Sequence, residues 1–155
     1  MANLTSLREL HISAIQIGGI SAVASLTSLT YLYLSGNQIG NISALASLTS
    51  LRELYLSGNQ IRDISPLASL SRLGDLSLAG NLIDNISPLA NLSNLTLLNL
   101  SNNQISDIKP LVDNPGLSDG DKIYLYNALS YSPLSYGYVS TYIGQLEARG
   151  VIVEY

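Results

Sequence analysis

Few residues of this chain are of a type that does chemistry. The single histidine, His11, stands two residues from Glu9, and an imidazole beside a carboxylate is the smallest unit of general acid–base catalysis. No nucleophile stands with them in a recognisable constellation, so the pair reads as two polar residues on one strand face. Asp63, Asp84 and Asp107 have the oxygen ligands that calcium prefers. Asp63 and Asp107, however, occupy the place that Asn41 and Asn85 hold elsewhere, where a short polar side chain suits a turn. One carboxylate at each such place falls short of the six or more oxygens calcium takes. The glycines of "LSGNQI" follow a strand pattern but open no long helix, which excludes a phosphate loop. With no cysteine there is neither a disulfide framework nor a thiolate metal site. Asn-X-Ser/Thr triplets at Asn3, Asn41, Asn85, Asn91 and Asn94 arise from the repeating pattern and matter only in a eukaryotic secretory pathway. No catalytic residue, cofactor or metal is expected.

Composition narrows the partners. Of 155 residues, 46% are hydrophobic and only 12% charged, a chain apolar enough to bury a continuous core as one domain. The net charge is −4 and the seven Lys plus Arg are scattered, whereas nucleic acid needs a basic stripe. No apolar run reaches membrane-spanning length, so no membrane insertion is expected. The opening "MANLTSLREL" lacks the basic start and unbroken apolar segment of a signal peptide.

What positions the polar residues is a repeat. "LYLSGNQI" occurs at 32–39 and, unchanged, at 54–61, an offset of 22 residues. Leu29, Leu32, Leu34, Asn37, Ile39, Ile42, Leu45 and Leu48 return one period later as Leu51, Leu54, Leu56, Asn59, Ile61, Ile64, Leu67 and Leu70. They return again from Leu73 through Asn81 to Leu92, and from Leu95 through Asn103 to Leu111. An upstream copy runs Leu7, Leu10, Ile12, Ile17, Ile20, Val23 and Leu26, with Ile15 in place of the asparagine. Each unit is too small to bury its own apolar face and becomes stable by stacking on the next.

In these residues the chain resembles leucine-rich repeat proteins of the 22-residue class, nearest to the internalin-like repeats of bacterial surface proteins. The tail "NPGLSDGDKIYLYNALS" with "YIGQLEARGVIVEY" is similar to the closing segment of many such proteins, reading "YNALS" where the commoner form reads "GNPLS". The resemblance implies adhesion or partner capture by a secreted or cell-surface bacterial protein. It divides the chain into repeats at 1–117 and a cap at 118–155, both parts of one domain. Internalins usually carry a helical cap before the first repeat; the expectation here is either that such a cap has been cut away or that the first coil is closed by its own residues, Ile15 among them.

The periodicity gives the elements. "ELHIS", "YLYLS", "ELYLS", "DLSLA" and "LLNLS" alternate polar and apolar residues, which predicts one short parallel strand per coil and a curved sheet lining the concave side. Asn37, Asn59, Asn81 and Asn103 sit where the chain leaves each strand, so their amides are expected to satisfy buried backbone groups. "SPLASL" and "SPLANL" predict a short 3₁₀ turn per coil on the convex side, with the serine as cap and proline as first helical residue. Val139, Tyr142, Ile143 and Leu146 have helical spacing before Gly150, and "VIVEY" reads as a last strand, so a helix and strand should cap the C-terminal end.

The face that packing does not dictate then carries three columns, begun by Glu9, Tyr31, Glu53, Asp75 and Leu97; by His11, Tyr33, Tyr55, Ser77 and Asn99; and by Ser13, Ser35, Ser57, Ala79 and Ser101. Tyr124 and Tyr126 extend them, leaving a shallow trough between two tyrosine-bearing zones. Tyrosine offers a rigid apolar body with a polar tip, which suits recognition, although it also serves as an ordinary strand former. The expected function is non-catalytic recognition of a protein by the concave face through Glu9, His11, Tyr31, Tyr33, Glu53, Tyr55, Asp75, Asn99, Tyr124 and Tyr126. A structural or engineered scaffold without a dedicated partner stands as the alternative, supported by the near-verbatim copying of 29–50 into 51–72; glycan binding is a further one. An uncovered first strand at 9–13 makes self-association through that edge a further expectation.

Overall fold

A computed structural model describes residues 6–129 and 136–155. Residues 1–5 and 130–135 lie outside the described residues. Seven strands form one parallel sheet in chain order: β1 (Glu9–His11), β2 (Tyr31–Tyr33), β3 (Glu53–Tyr55), β4 (Asp75–Ser77), β5 (Leu97–Asn99), β6 (Lys122–Tyr124) and β7 (Ile152–Glu154). The register places Leu10, Leu32, Leu54, Leu76, Leu98, Ile123 and Val153 in one inward row. That row meets the other repeat leucines and isoleucines in a single core, where Leu32, Leu54, Leu76 and Leu98 lose all contact with water. Leu10, in the outermost coil described, is half-buried, with only one side covered among the described residues.

The strands are three residues long rather than the five that alternation suggested. The chain turns at Gly36, Gly58 and Gly80, whose φ values of 71°, 67° and 65° are left-handed and strained for residues bearing a Cβ. Before turning, each coil adds further ladder bonds, Leu34 N–H to Tyr55 O and Gly36 N–H to Ser57 O, both at 2.8 Å. Asn102 replaces the glycine in the coil of β5 and adopts φ 55°, a conformation asparagine tolerates.

On the opposite side, 3₁₀ turns span Ser21–Ser25, Ser43–Ser47, Ser65–Ser69 and Ser87–Asn91. The next coil widens this element to a short α-helix, α1 (Lys109–Asp113), in which Lys109 Nζ bonds Asp113 at 2.6 Å. The serines expected to cap these turns do not do so. Each begins on a core isoleucine, and the residue before that isoleucine supplies the acceptor: Asn41, Asp63, Asn85 and Asp107 take the backbone N–H of Ser43, Ser65, Ser87 and Lys109 at 2.8–2.9 Å. In the last three of these coils such an Asx turn satisfies the last backbone donor before a proline, which has none; in the first, Ala44 follows Ser43.

The C-terminal end is closed by α2 (Tyr136–Glu147), which packs on α1 and β7 and buries Val139, Ile143 and Leu146. Gly150 turns the chain at φ 82°, where a Cβ would meet Asp119 at 2.6–3.0 Å, and β7 then joins the sheet beside β6. Ile15 does not close the first coil; it is 57% exposed.

Candidate functional site

Alternation in a strand sends residues beside the inward leucines to the opposite face, and parallel register lines them up from coil to coil. One outer row runs Glu9, Tyr31, Glu53, Asp75, Leu97, Lys122 and Ile152. The next runs His11, Tyr33, Tyr55, Ser77, Asn99, Tyr124 and Glu154. Glu9 and His11 are exposed, while Tyr31, Tyr33, Glu53, Tyr55, Asp75, Asn99 and Tyr124 are half-buried among their neighbours.

The second row holds an aromatic stack. His11 and Tyr33 lie with ring centroids 4.1 Å apart and planes inclined by 16°; Tyr33 and Tyr55 follow at 5.0 Å and 15°. Strands about 4.8 Å apart put in-register rings at stacking distance without further adjustment. The first row supplies acceptors. Glu9 Oε1 lies 2.7 Å from His11 Nε2, and the Tyr33 hydroxyl donates to Glu53 Oε2 at 3.0 Å. Removal of Tyr33 from water, helped by that bond and by the charge of Glu53, pushes its phenol up to about 12. Tyr55 is raised also, first by burial and then by the charges of Asp75 and Glu53. Both phenols are neutral donors at ordinary pH, offering flat apolar surface beside carboxylates.

The far end of the face is separate. Tyr124 and Tyr126 lie 6.5 Å apart, and Tyr126 O–H donates to Glu154 Oε2 at 2.5 Å, a bond that raises its own pKa. Tyr126 lies beyond β6 rather than within it. Asn99 accepts the Ser101 N–H at 3.0 Å, so its oxygen is already engaged locally. Between the two ends Ser77, although in the outer row, and Ser101 are buried beneath their neighbours, and Ser57 Oγ lies 2.6 Å from Ser77 Oγ.

Three features escaped the sequence reading. Glu154 joins the tyrosine pair only because the chain returns to the sheet through β7. Asn114 is fully buried in the "NPG" turn, donating to Leu89 O and Leu92 O at 2.9 and 3.1 Å. Arg149 donates to the carbonyls of Val112 and Asn114 at 2.9 and 2.6 Å and also to that of Leu117, tying the end of α2 to the last coil. The Asn-Pro-Gly triplet was the available signal for the second; nothing local marked the other two.

Among the described residues no group of three or more His, Cys, Asp or Glu could hold a metal ion, and no helix is long and apolar enough to cross a membrane. A stacked parallel sheet with short turns on its other side defines a solenoid. The chain belongs to the leucine-rich repeat family: profiles described as leucine rich repeat match residues 5–61, and as leucine rich repeats in two copies, residues 49–91 and 71–117. It is internalin-like. Internalin C2 of Listeria monocytogenes is 38% identical over 97% of this chain and 62% of its own, with a TM-score of 0.82. An internalin F of the same species is 27% identical over 97% of this chain and 48% of its own, at 0.69. A leucine-rich repeat protein of Leptospira interrogans is 27% identical over 98% of this chain and 38% of its own, at 0.82. The chain thus spans less than two thirds of each of these structures. No curated protein matches it. Leucine-rich repeat proteins are generally protein-interaction modules, and no catalytic family is indicated.

Proposed function

We propose that the open face of the sheet, the concave face of a leucine-rich repeat solenoid, binds a protein partner through Tyr31, Tyr33 and Tyr55 with Glu9, His11, Glu53 and Asp75 around them. The observation that carries this is the His11–Tyr33–Tyr55 stack, a rigid aromatic surface on the face that the core does not use. Asn99, Tyr124 and Tyr126 form the outlying part of the same surface. Likeness to Listeria internalins supports adhesion at a bacterial surface, by a secreted or surface-held protein, as the setting. Residues 118–155 act as the cap of one domain with 1–117.

The test is a partner selected from a displayed protein library, then measured against Tyr33→Ser/Tyr55→Ser. A loss of about 30-fold, roughly 2 kcal/mol, with the fold retained supports the reading. Unchanged affinity would remove this face. A second reading, a scaffold without a dedicated partner, draws on the way the face bonds to itself through Tyr33–Glu53 and Ser57–Ser77; failure of repeated selections to yield any concave-face binder would favour it. Self-association through the outer edge of β1, which has no strand partner among the described residues, is a further proposal, tested by sedimentation across a concentration series.

A further inference from the structure

Three carboxylates stand in one row of the open face. Glu9 flanks Tyr31 on one side and Glu53 on the other, and Glu53 faces Asp75 directly in register. Like charges opposite each other on adjacent strands are destabilising, so the Glu53–Asp75 pair is a standing cost to the free protein. Its neighbours hold the two carboxylates with neutral groups only. Tyr33 O–H donates to Glu53 Oε2 at 3.0 Å, and Thr96 Oγ1 lies 3.2 Å from Asp75 Oδ1. Neither Glu53 nor Asp75 has a cationic partner among the described residues, where Lys109 pairs with Asp113 and the His11 ring hydrogen-bonds Glu9. In these two outer rows, β2 to β5 carry no Lys or Arg, and Lys122 in β6 is the first. Arg8 and Arg52 precede Glu9 and Glu53 and lie at the entrance to the strands rather than in the rows.

On the premise that this face is the binding face, we propose that β1 to β4 receive a cationic segment of the protein partner, with an arginine or lysine side chain seated over Tyr31 between Glu9 and Glu53, and Asp75 taking the next positive charge. A cation over a tyrosine ring gains from the ring quadrupole, and flanking carboxylates add direct attraction. Binding would also relieve the Glu53–Asp75 repulsion, so the face favours the bound state through a conflict present in the free one. The complement is a basic, extended or loop segment; an acidic one would meet the same row with repulsion.

Hexa-arginine is the probe, titrated at low salt into isotopically labelled full chain, with hexaglutamate and hexaserine as parallel arms. Chemical-shift changes are expected to centre on residues 9, 31, 53 and 75. Glu53→Gln/Asp75→Asn should weaken hexa-arginine binding about tenfold or more while raising the melting temperature of the free chain. Asp63→Asn/Asp107→Asn makes the same change in net charge on the convex turns and should alter binding less than about twofold. Equal losses from both double variants would reduce the effect to whole-molecule charge and overturn the proposal. Should hexaserine or hexaglutamate shift these strands while hexa-arginine does not, the cationic assignment falls and the binding face stands. Hexa-arginine bound away from the sheet face, or silence from all three peptides, also overturns the assignment.

Discussion

Asn59 donates its side-chain amide to the carbonyl of Leu34, 25 residues earlier, at 3.1 Å. The same group donates to Leu56 O at 2.9 Å, and its oxygen accepts the N–H of Ile39 at 3.0 Å, so one buried amide stitches two coils together. Asn81 and Asn103 repeat the arrangement one and two coils on. Asn37 does the same to the first coil, accepting from Ile15 and Ile17. All the buried polar side-chain atoms among the described residues have partners, and these amides are a main reason.

Asn59→Ala should therefore cost roughly 2–3 kcal/mol, because it strands buried backbone donors and acceptors in two coils at once. Ser57→Ala should cost under about 1 kcal/mol, although Ser57 does bond Ser77, since Ser57 itself is only half-buried and faces the open side. Urea unfolding of both variants checks the order. Equal midpoints with unchanged slopes would show that the asparagine is not the inter-coil tie.

How much was legible follows from where each interaction is encoded. The sheet was, because Leu32, Leu54, Leu76 and Leu98 recur at fixed period and strand alternation decides which way their neighbours point. The convex turns were legible as 3₁₀ elements, yet their caps were misassigned: Ser65 precedes a proline as a cap should, but its free N–H is itself the group needing an acceptor, and Asp63 supplies one. The burial of Ser77 and Ser101 was not legible, since alternation gives direction and says nothing of what covers a small side chain. Arg149 was not legible either, because its three carbonyl partners lie 32 to 37 residues away and converge only when α2 folds over the last coil.

The cap at Asp63 gives a pH-dependent expectation. The backbone N–H and then the hydroxyl of Ser65 hold its carboxyl below the usual aspartate range. A group whose folded pKa is depressed adds stability above its unfolded pKa and loses it as pH falls through the folded one. Asp63→Asn, which keeps the acceptor as Asn41 and Asn85 do, should hold the neutral-pH melting temperature within about a degree and flatten this acid limb. Asp63→Ala should lower it by about 2–4 °C at neutral pH. Calorimetric melts from neutral to strongly acidic pH separate the two; identical curves for all three chains would show that the turn needs no cap.

Tyr33 carries the opposite sign. Its phenol, pushed to about 12 in the fold by burial and by Glu53, loses its proton near 10 when unfolded. A raised folded pKa means that this contribution is complete below 10 and disappears as pH rises from there towards 12. Phenolate absorbance should show a late-titrating tyrosine that Tyr33→Phe removes and that Glu53→Gln brings earlier. If the late component survives Tyr33→Phe, it belongs to Tyr55 or Tyr126, and the stack does not isolate the Tyr33 hydroxyl in the way its geometry implies.

Arg149 offers the sharpest test of how the stack is closed. Its guanidinium reaches the carbonyl of Val112 in α1 and those of Asn114 and Leu117 in the connection to β6, while the chain continues directly from it into the Gly150 turn and β7. Replacing it with methionine keeps the aliphatic stem and its packing but leaves three carbonyls without their donor. The expected cost is roughly 2–3 kcal/mol, the range for hydrogen bonds to a charged group. The loss should be local before it is global. Amide exchange should speed up first in β7 and α2, where Val139, Ile143 and Leu146 shield the final coil, while β2 to β4 keep their protection. Uniform loss of protection along the sheet would mean that the coils unfold as one unit, with Arg149 supporting the whole domain rather than latching its lid.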